Sequence, residues 1–189
     1  MVYVVDFGSQ TAHLIGRRLR ELGVAVEYIY PEEALRVINR QRPSGVIFSG
    51  GPAGVYEVGA PIIDKEIFNL GIPILGICYG CQLMANILGG KVESAAKEYG
   101  PEMLDLKVNG SIFSVPKKRF RVYMSHGDTV IELPSGFEVV GSTKKVKFAA
   151  IQNLKNNFFG VQFHLEVYHT RYGTKILKNF ITLICGETL

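Results

Sequence analysis

From Val2 onward, short and almost wholly apolar runs alternate with longer segments whose apolar residues recur every three or four positions. The run VYVVDF (2–7) predicts a strand. Residues 10–22 place Leu14, Ile15, Leu19 and Leu22 on one helical face, and VAVEYI (24–29) predicts the next strand. Pro31 suits the first turn of a helix running towards Arg40. GVIFS (45–49), a helix near residues 61–70 and IPILGI (72–77) continue the series. Connections of only a few residues between such elements are βαβ syntax, and strands that are apolar at nearly every position suit a parallel sheet covered on both faces.

The pattern changes after Gly89 and Gly90, which close the helix following residue 77. Strand then follows strand in MLDLKV (103–108), IFSV (112–115), FRVYM (120–124), FEVVGS (137–142), VKFAAIQ (146–152) and FFGVQFH (158–164), before a last helix over 168–184. The predicted fold is α/β: a doubly wound, mostly parallel sheet with a flavodoxin-like core and an antiparallel extension. With no internal repeat or linker, one domain over residues 1–189 is expected. Ligands in such folds bind at the carboxyl ends of the parallel strands, which singles out the loops after residues 7, 49 and 77.

Composition narrows the class. A hydrophobic content of 47% over 189 residues is enough for a sizeable core. The longest apolar stretch, around IPILGIC, falls far short of the roughly 18 to 20 residues of a membrane span. The start, MVYVVDFG, lacks a basic leader segment, and three cysteines are an odd number and too few for a disulfide framework. A cytoplasmic protein is expected. The net charge is 21 − 17 = +4, with basic runs only at KKRFR (117–121) and KKVK (144–147). These read as solvated edges or a dock for an acidic partner; no nucleic acid or membrane partner is expected.

The chemistry centres on Gly76-Ile77-Cys78-Tyr79-Gly80, which has the spacing of a G-x-S-x-G nucleophile elbow with cysteine in place of serine, between a predicted strand and a predicted helix. The glycines have a steric reason, since a sharp strand-to-helix turn brings the residues two before and two after the nucleophile together. Cys78 then sits at a helix N-terminus, which favours its thiolate. Cys81, a turn further on, reads as packing. A thioredoxin-like redox pair does not call for Gly76 and Gly80. A zinc site completed by His164 and His169 would separate its half-sites by far more chain than a zinc finger uses.

VQFHLEV supplies a base and its orienter, His164 and Glu166, two apart at a strand end. If extended backbone continues through Leu165, alternation puts both on one side, where the carboxylate can fix the imidazole that takes and returns the thiol proton. The third component is SGGPAG (49–54), a glycine-rich turn directly after an apolar strand. Its N–H groups, with that of Tyr79, fit an oxyanion hole. A phosphate cradle comes second, because SGGP lacks the lysine of a Walker loop.

Taken together these motifs resemble the class I glutamine amidotransferases, over the whole chain. That resemblance implies Cys78 as nucleophile, His164 and Glu166 as its partners, Gly51 and Tyr79 as oxyanion donors, and glutamine contacts from Gly50, Gln82 and the SHGD segment, Ser125, His126, Gly127 and Asp128. The family usually has proline between the histidine and glutamate, where this chain has Leu165 with the spacing kept. DFGSQ (6–10), MSHGD (124–128) and VQFHLEVYHT (161–170) look most like the amidotransferase portion of the GMP synthetases. That narrower likeness implies, as partner, a separate ATP-pyrophosphatase (synthetase) subunit where ATP and magnesium would act, and no cofactor or metal in this chain. Other readings are an amidotransferase feeding an anthranilate or carbamoyl-phosphate synthase, a stand-alone γ-glutamyl or peptide hydrolase, and a non-catalytic module keeping the fold.

Overall fold

The computed structural model describes residues 1–94, 97–108 and 110–189. Its first half follows the predicted alternation: β1 (Val2–Val5), α1 (Ala12–Glu21), β2 (Val26–Ile29), α2 (Pro31–Gln41), β3 (Gly45–Phe48), β4 (Ile74–Ile77) and α3 (Tyr79–Ile87). The second half adds β5 (Lys91–Glu93), β6 (Glu98–Leu106), β7 (Arg119–His126), β8 (Thr129–Glu132), β9 (Glu138–Ser142), β10 (Ala150–Asn153), β11 (Phe158–Val161) and α4 (Gly173–Asn179). The last helix continues as a π-helical turn, Phe180–Ile184.

The main sheet runs β2-β1-β3-β4-β11-β10-β9-β6-β7. Pairing is parallel from β2 to β11 and antiparallel from β11 to β7. Alternate side chains of the parallel strands feed two cores. Val2, Val4, Ile47, Leu75, Ile77 and Phe159 pack with Ile15 and Leu19 of α1 and Ile176 and Leu177 of α4. Tyr3, Val5, Val46, Phe48, Ile74 and Phe158 pack with Ala34 and Ile38 of α2 and Leu83 and Met84 of α3. The sheet is thus doubly wound, as the apolar runs require.

Several elements differ from the sequence reading. The helix expected near residues 61–70 is only a 3-10 helix, Lys65–Asn69: Asp64 is extended and caps it through Glu66 N, and Gly71 leaves at φ 69°. The apolar run 112–115 is not a strand. Ser111 turns at φ 51°, a 3-10 turn spans Ser111–Phe113, and Asn179 Nδ2 donates to the carbonyls of Ile112 and Ser114 at 2.9 and 3.1 Å. Those groups therefore have partners without a ladder. The strand in 146–152 starts only at Ala150, and β11 stops at Val161, short of His164. The last helix begins at Gly173, and the paired strands β5 and β8 had no clear sequence pattern.

Candidate active site

The carboxyl ends of β1, β3, β4 and β11 converge on one point. Cys78 follows β4 directly at φ 51°, ψ −108°, a conformation that costs a non-glycine residue on the order of 1–3 kcal/mol and that its surroundings must enforce. They do so with three backbone bonds: Cys78 N donates to Val161 O at 2.8 Å, Gly80 N to Ser49 O at 3.1 Å, and Gln82 N to Cys78 O at 3.0 Å. A Cβ on Gly76 would lie 2.7 Å from backbone atoms of Gly80 and Cys81, and one on Gly80 would lie 2.5 Å from Phe48 Cβ. Both elbow glycines are sterically required.

Cys78 is 4% exposed, at the foot of two adjoining cavities. One, of about 260 Å³, is bordered by Ser9, Thr11, Tyr123 and His164. The other, of about 300 Å³, is bordered by Gly51, Glu57, Gln82, Tyr99 and the turn Ser125–Asp128, and lies at the small end of ligand pockets.

His164 Nδ1 meets Glu166 Oε1 at 2.8 Å, and the same oxygen accepts from Thr11 Oγ1 at 2.7 Å. Glu166 is wholly buried. Burial, the largest influence, pushes the His164 imidazolium towards deprotonation. Hydrogen bonds to Cys78 and Glu166, with the charges of both, outweigh it and carry the pKa up to about 10. The imidazole therefore holds a proton beside the sulfur at neutral pH. Gln162 Nε2 donates to Cys78 Sγ at 3.6 Å, while the Ser125 carbonyl, 3.5 Å away, can receive the proton of the neutral thiol.

Strand alternation is not what pairs His164 with Glu166, since β11 has already ended. The turn beyond it is held by side bonds instead. His164 N donates to Tyr123 O at 3.0 Å, Thr170 Oγ1 to His164 O at 2.5 Å, and Arg18 Nε to Glu166 O at 3.1 Å. Gly173 admits the Leu165 carbonyl, which would lie 2.2 Å from a Cβ there. These contacts hold the turn with leucine at position 165.

Gly51 packs against Phe7, whose carbonyl would lie 2.8 Å from a Cβ, and among the described residues its N–H has no acceptor. Tyr79 opens α3, so its N–H has no intrahelical acceptor either. A Cβ on Gly50 would lie 3.2 Å from His164 Cε1 and 3.7 Å from Cys78 Cβ, so the glycine turn touches both groups. Gln82 Nε2 donates to Asp128 O at 2.8 Å and Gln162 Oε1 at 3.3 Å, which leaves its Oε1 as the group free for a ligand. Glu57 and Asp128 add carboxylates beside Gly54. Ser125, Gly127 and Asp128 border the cavity, but the His126 ring turns inward to Glu98, at 3.3 Å.

Cys81 is fully buried against Gly160, and burial pushes its thiol far above the ordinary value. His169 stacks between Tyr123 and Tyr168. Among the described residues, no group of three or more His, Cys, Asp or Glu side chains could hold a metal ion. Sequence reasoning missed Thr11, Gln162, Glu57 and Glu98; only Gln162 carried a signal, two residues before His164 in one run.

Comparison with known proteins agrees with this geometry. The family model for glutamine amidotransferase class-I matches residues 3–184. The GMP synthase [glutamine-hydrolyzing] of Staphylococcus epidermidis is 49% identical over 189 residues, all of this chain and 37% of that protein. The protein of the same description from Macrococcus caseolyticus is 47% identical, also over 37% of its length. The chain thus spans little more than a third of the curated relatives it matches. Among solved structures, a Thermoplasma acidophilum protein provisionally described as one subunit of GMP synthase superposes with TM-score 0.88 at 32% identity, covering 98% of this chain and 93% of that one. A glutamine amidotransferase from Thermotoga maritima gives TM-score 0.70 at 26% identity, over 96% and 80%. With a cysteine elbow, an adjoining His-Glu pair and this match along nearly its whole length, the chain belongs to the class-I glutamine amidotransferases.

Proposed function

We propose that this chain hydrolyses the side-chain amide of glutamine and delivers the ammonia to a synthetase polypeptide that makes GMP. The observation that carries the reading is Cys78, held at positive φ on its elbow and sharing a cavity with the His164 imidazole that Glu166 orients. In the reaction, the Cys78 thiolate attacks the amide carbon and the N–H groups of Gly51 and Tyr79 receive the oxyanion. His164 protonates the departing nitrogen as the C–N bond breaks, leaving a γ-glutamyl thioester. Water then gives a proton to His164 and attacks the thioester, releasing glutamate and the thiolate. The acceptor-rich wall of Gln82 Oε1, Glu57 and Asp128 suits the α-ammonium of an amino acid.

The GMP assignment rests on the relatives named GMP synthase. In this reading an ATP-pyrophosphatase partner, with ATP and magnesium, activates XMP for displacement by ammonia, and the pair works in the cytoplasm. No helix among the described residues is long and apolar enough to cross a membrane. The test combines Cys78→Ala with that partner. Glutamine-dependent GMP formation is lost while formation from added ammonium salt continues. Loss of both would overturn the division of labour, and partner-independent glutamate release at full rate would favour a stand-alone hydrolase.

A further inference from the structure

A second buried acid–histidine pair lies beside the site and takes no part in the mechanism above. Glu98 opens β6 and His126 closes β7, directly opposite in register, and their side chains are 0% and 1% exposed. Burying two ionisable groups costs several kcal/mol unless each is paired and hydrogen-bonded. Here every step has a partner. Thr143 Oγ1 accepts from Val146 N at 3.0 Å and donates to Glu98 Oε1 at 2.8 Å. Glu98 Oε2 faces His126 Nε2 at 3.3 Å, and His126 Nδ1 lies 2.8 Å from the Asp128 carbonyl.

A carbonyl oxygen only accepts, so Nδ1 carries a hydrogen. A proton must also lie between Nε2 and Oε2, since two acceptors would otherwise face each other. The Asp128 carbonyl therefore receives two donors, His126 Nδ1 from one side and Gln82 Nε2, at 2.8 Å, from the other. That double anchorage fixes the turn 125–128 and sets which atom of the Gln82 amide faces the cavity.

We propose that Glu98 and His126, tied to Thr143, form a buried strut that positions the Ser125–Asp128 wall and the Gln82 amide for substrate recognition, with Glu98 a positioning residue outside the triad. The inference rests on the glutamine reading of the cavity. Glu98, His126 and Thr143 make no bond to Cys78, His164 or Glu166; the strut reaches the sulfur only indirectly, through the Ser125 carbonyl and the Gln82–Gln162 bond, so its main effect falls on recognition.

The test uses the chain with 6-diazo-5-oxonorleucine, a glutamine-mimicking electrophile, and follows saturable labelling of Cys78. Iodoacetamide, which has no glutamine features, is the control. Glu98→Ala raises the half-saturating concentration about tenfold, as losing one or two hydrogen bonds predicts, and leaves the maximal labelling rate and the iodoacetamide rate within about twofold. Glu98→Gln restores recognition, because its amide oxygen can accept from Thr143 while its nitrogen donates to His126 Nε2. If Glu98→Ala does not fold, Thr143→Val weakens the same anchor and raises half-saturation about threefold. Unchanged half-saturation in both Glu98→Ala and Thr143→Val overturns the strut, as does equal slowing with iodoacetamide or a Glu98→Gln as damaging as alanine. Labelling of the wild-type chain that does not saturate sinks the glutamine reading itself, and the strut's role with it.

Discussion

The two halves of the large sheet bury their strands differently. β1, β3, β4 and β11 are buried at every position, between helices on both faces. In β6 and β7 buried and exposed positions largely alternate: Leu104, Phe120, Val122 and Met124 face the core, while Tyr99, Met103, Arg119 and Arg121 are exposed. Cys78, His164 and the glycine turn lie just beyond the ends of the doubly covered strands, where a strained backbone can be held. The half-covered strands supply the pocket wall. On the proposed reading the chemistry rests on the rigid half, while recognition draws on both, with Glu57 and Gln82 from the first and the Ser125–Asp128 turn from the second.

The largest effects should fall on the rigid half. Cys78→Ala is expected to lower glutamine hydrolysis by at least about a thousandfold, measured as glutamate release. Cys78→Gly should be equally inactive yet more stable to unfolding by about 1 kcal/mol, because glycine relieves the positive φ. A glycine variant less stable than wild type would show that the elbow is not strained.

Next comes the base. His164→Ala should cost roughly a hundredfold to ten-thousandfold and Glu166→Ala less, with the double variant little worse than His164→Ala. Losses that multiply would mean that the two do not act as one unit.

Gly76→Ala tests the covering of the strands. Its Cβ would stand 2.7 Å from backbone atoms with no flexible side chain to give way, so a loss of about 2–4 kcal/mol in denaturant unfolding is expected. A smaller loss would place slack at the elbow.

Glu166→Gln should lower the pH at which the His164 ring loses its proton, read from the imidazole resonance by NMR, since it removes a charge and changes a bond that raise that pKa. His164 titrates near 6.5 in the unfolded chain and about 10 in the folded one, so the associated stability is complete below about 6.5 and lost as pH rises through 10. An unmoved resonance would mean that Cys78 alone holds the proton. Smallest is Met103→Ala on the open face of β6, expected to shift unfolding by no more than about 0.5 kcal/mol. A larger shift would show that this face is not as loosely held as its exposure implies.

Much of this was legible in the chain. Hydrophobic period is a local property, so the strands and helices of residues 2–49 and 72–88 followed from neighbours in sequence. The elbow was legible in its glycine spacing, and for Gly76 the steric demand is local, set by Gly80 and Cys81, whereas the demand on Gly80 comes from Phe48 of β3. Where local pattern and tertiary partner competed, the partner won. Asn179 satisfies the 112–114 backbone from far along the chain, so an apolar run that reads as a strand becomes a turn. His164 and Glu166 were found two apart, but a turn bonded to Tyr123, Thr170 and Arg18 brings them together. Thr11 on Glu166, across 155 residues, and Glu98 on His126, across 28, had no local signal. The sequence alone determined which residues could do the chemistry, since side-chain type and tight spacing are written in it. Tertiary structure decided which groups hold them, because a hydrogen bond between distant segments depends on how the strands order and register.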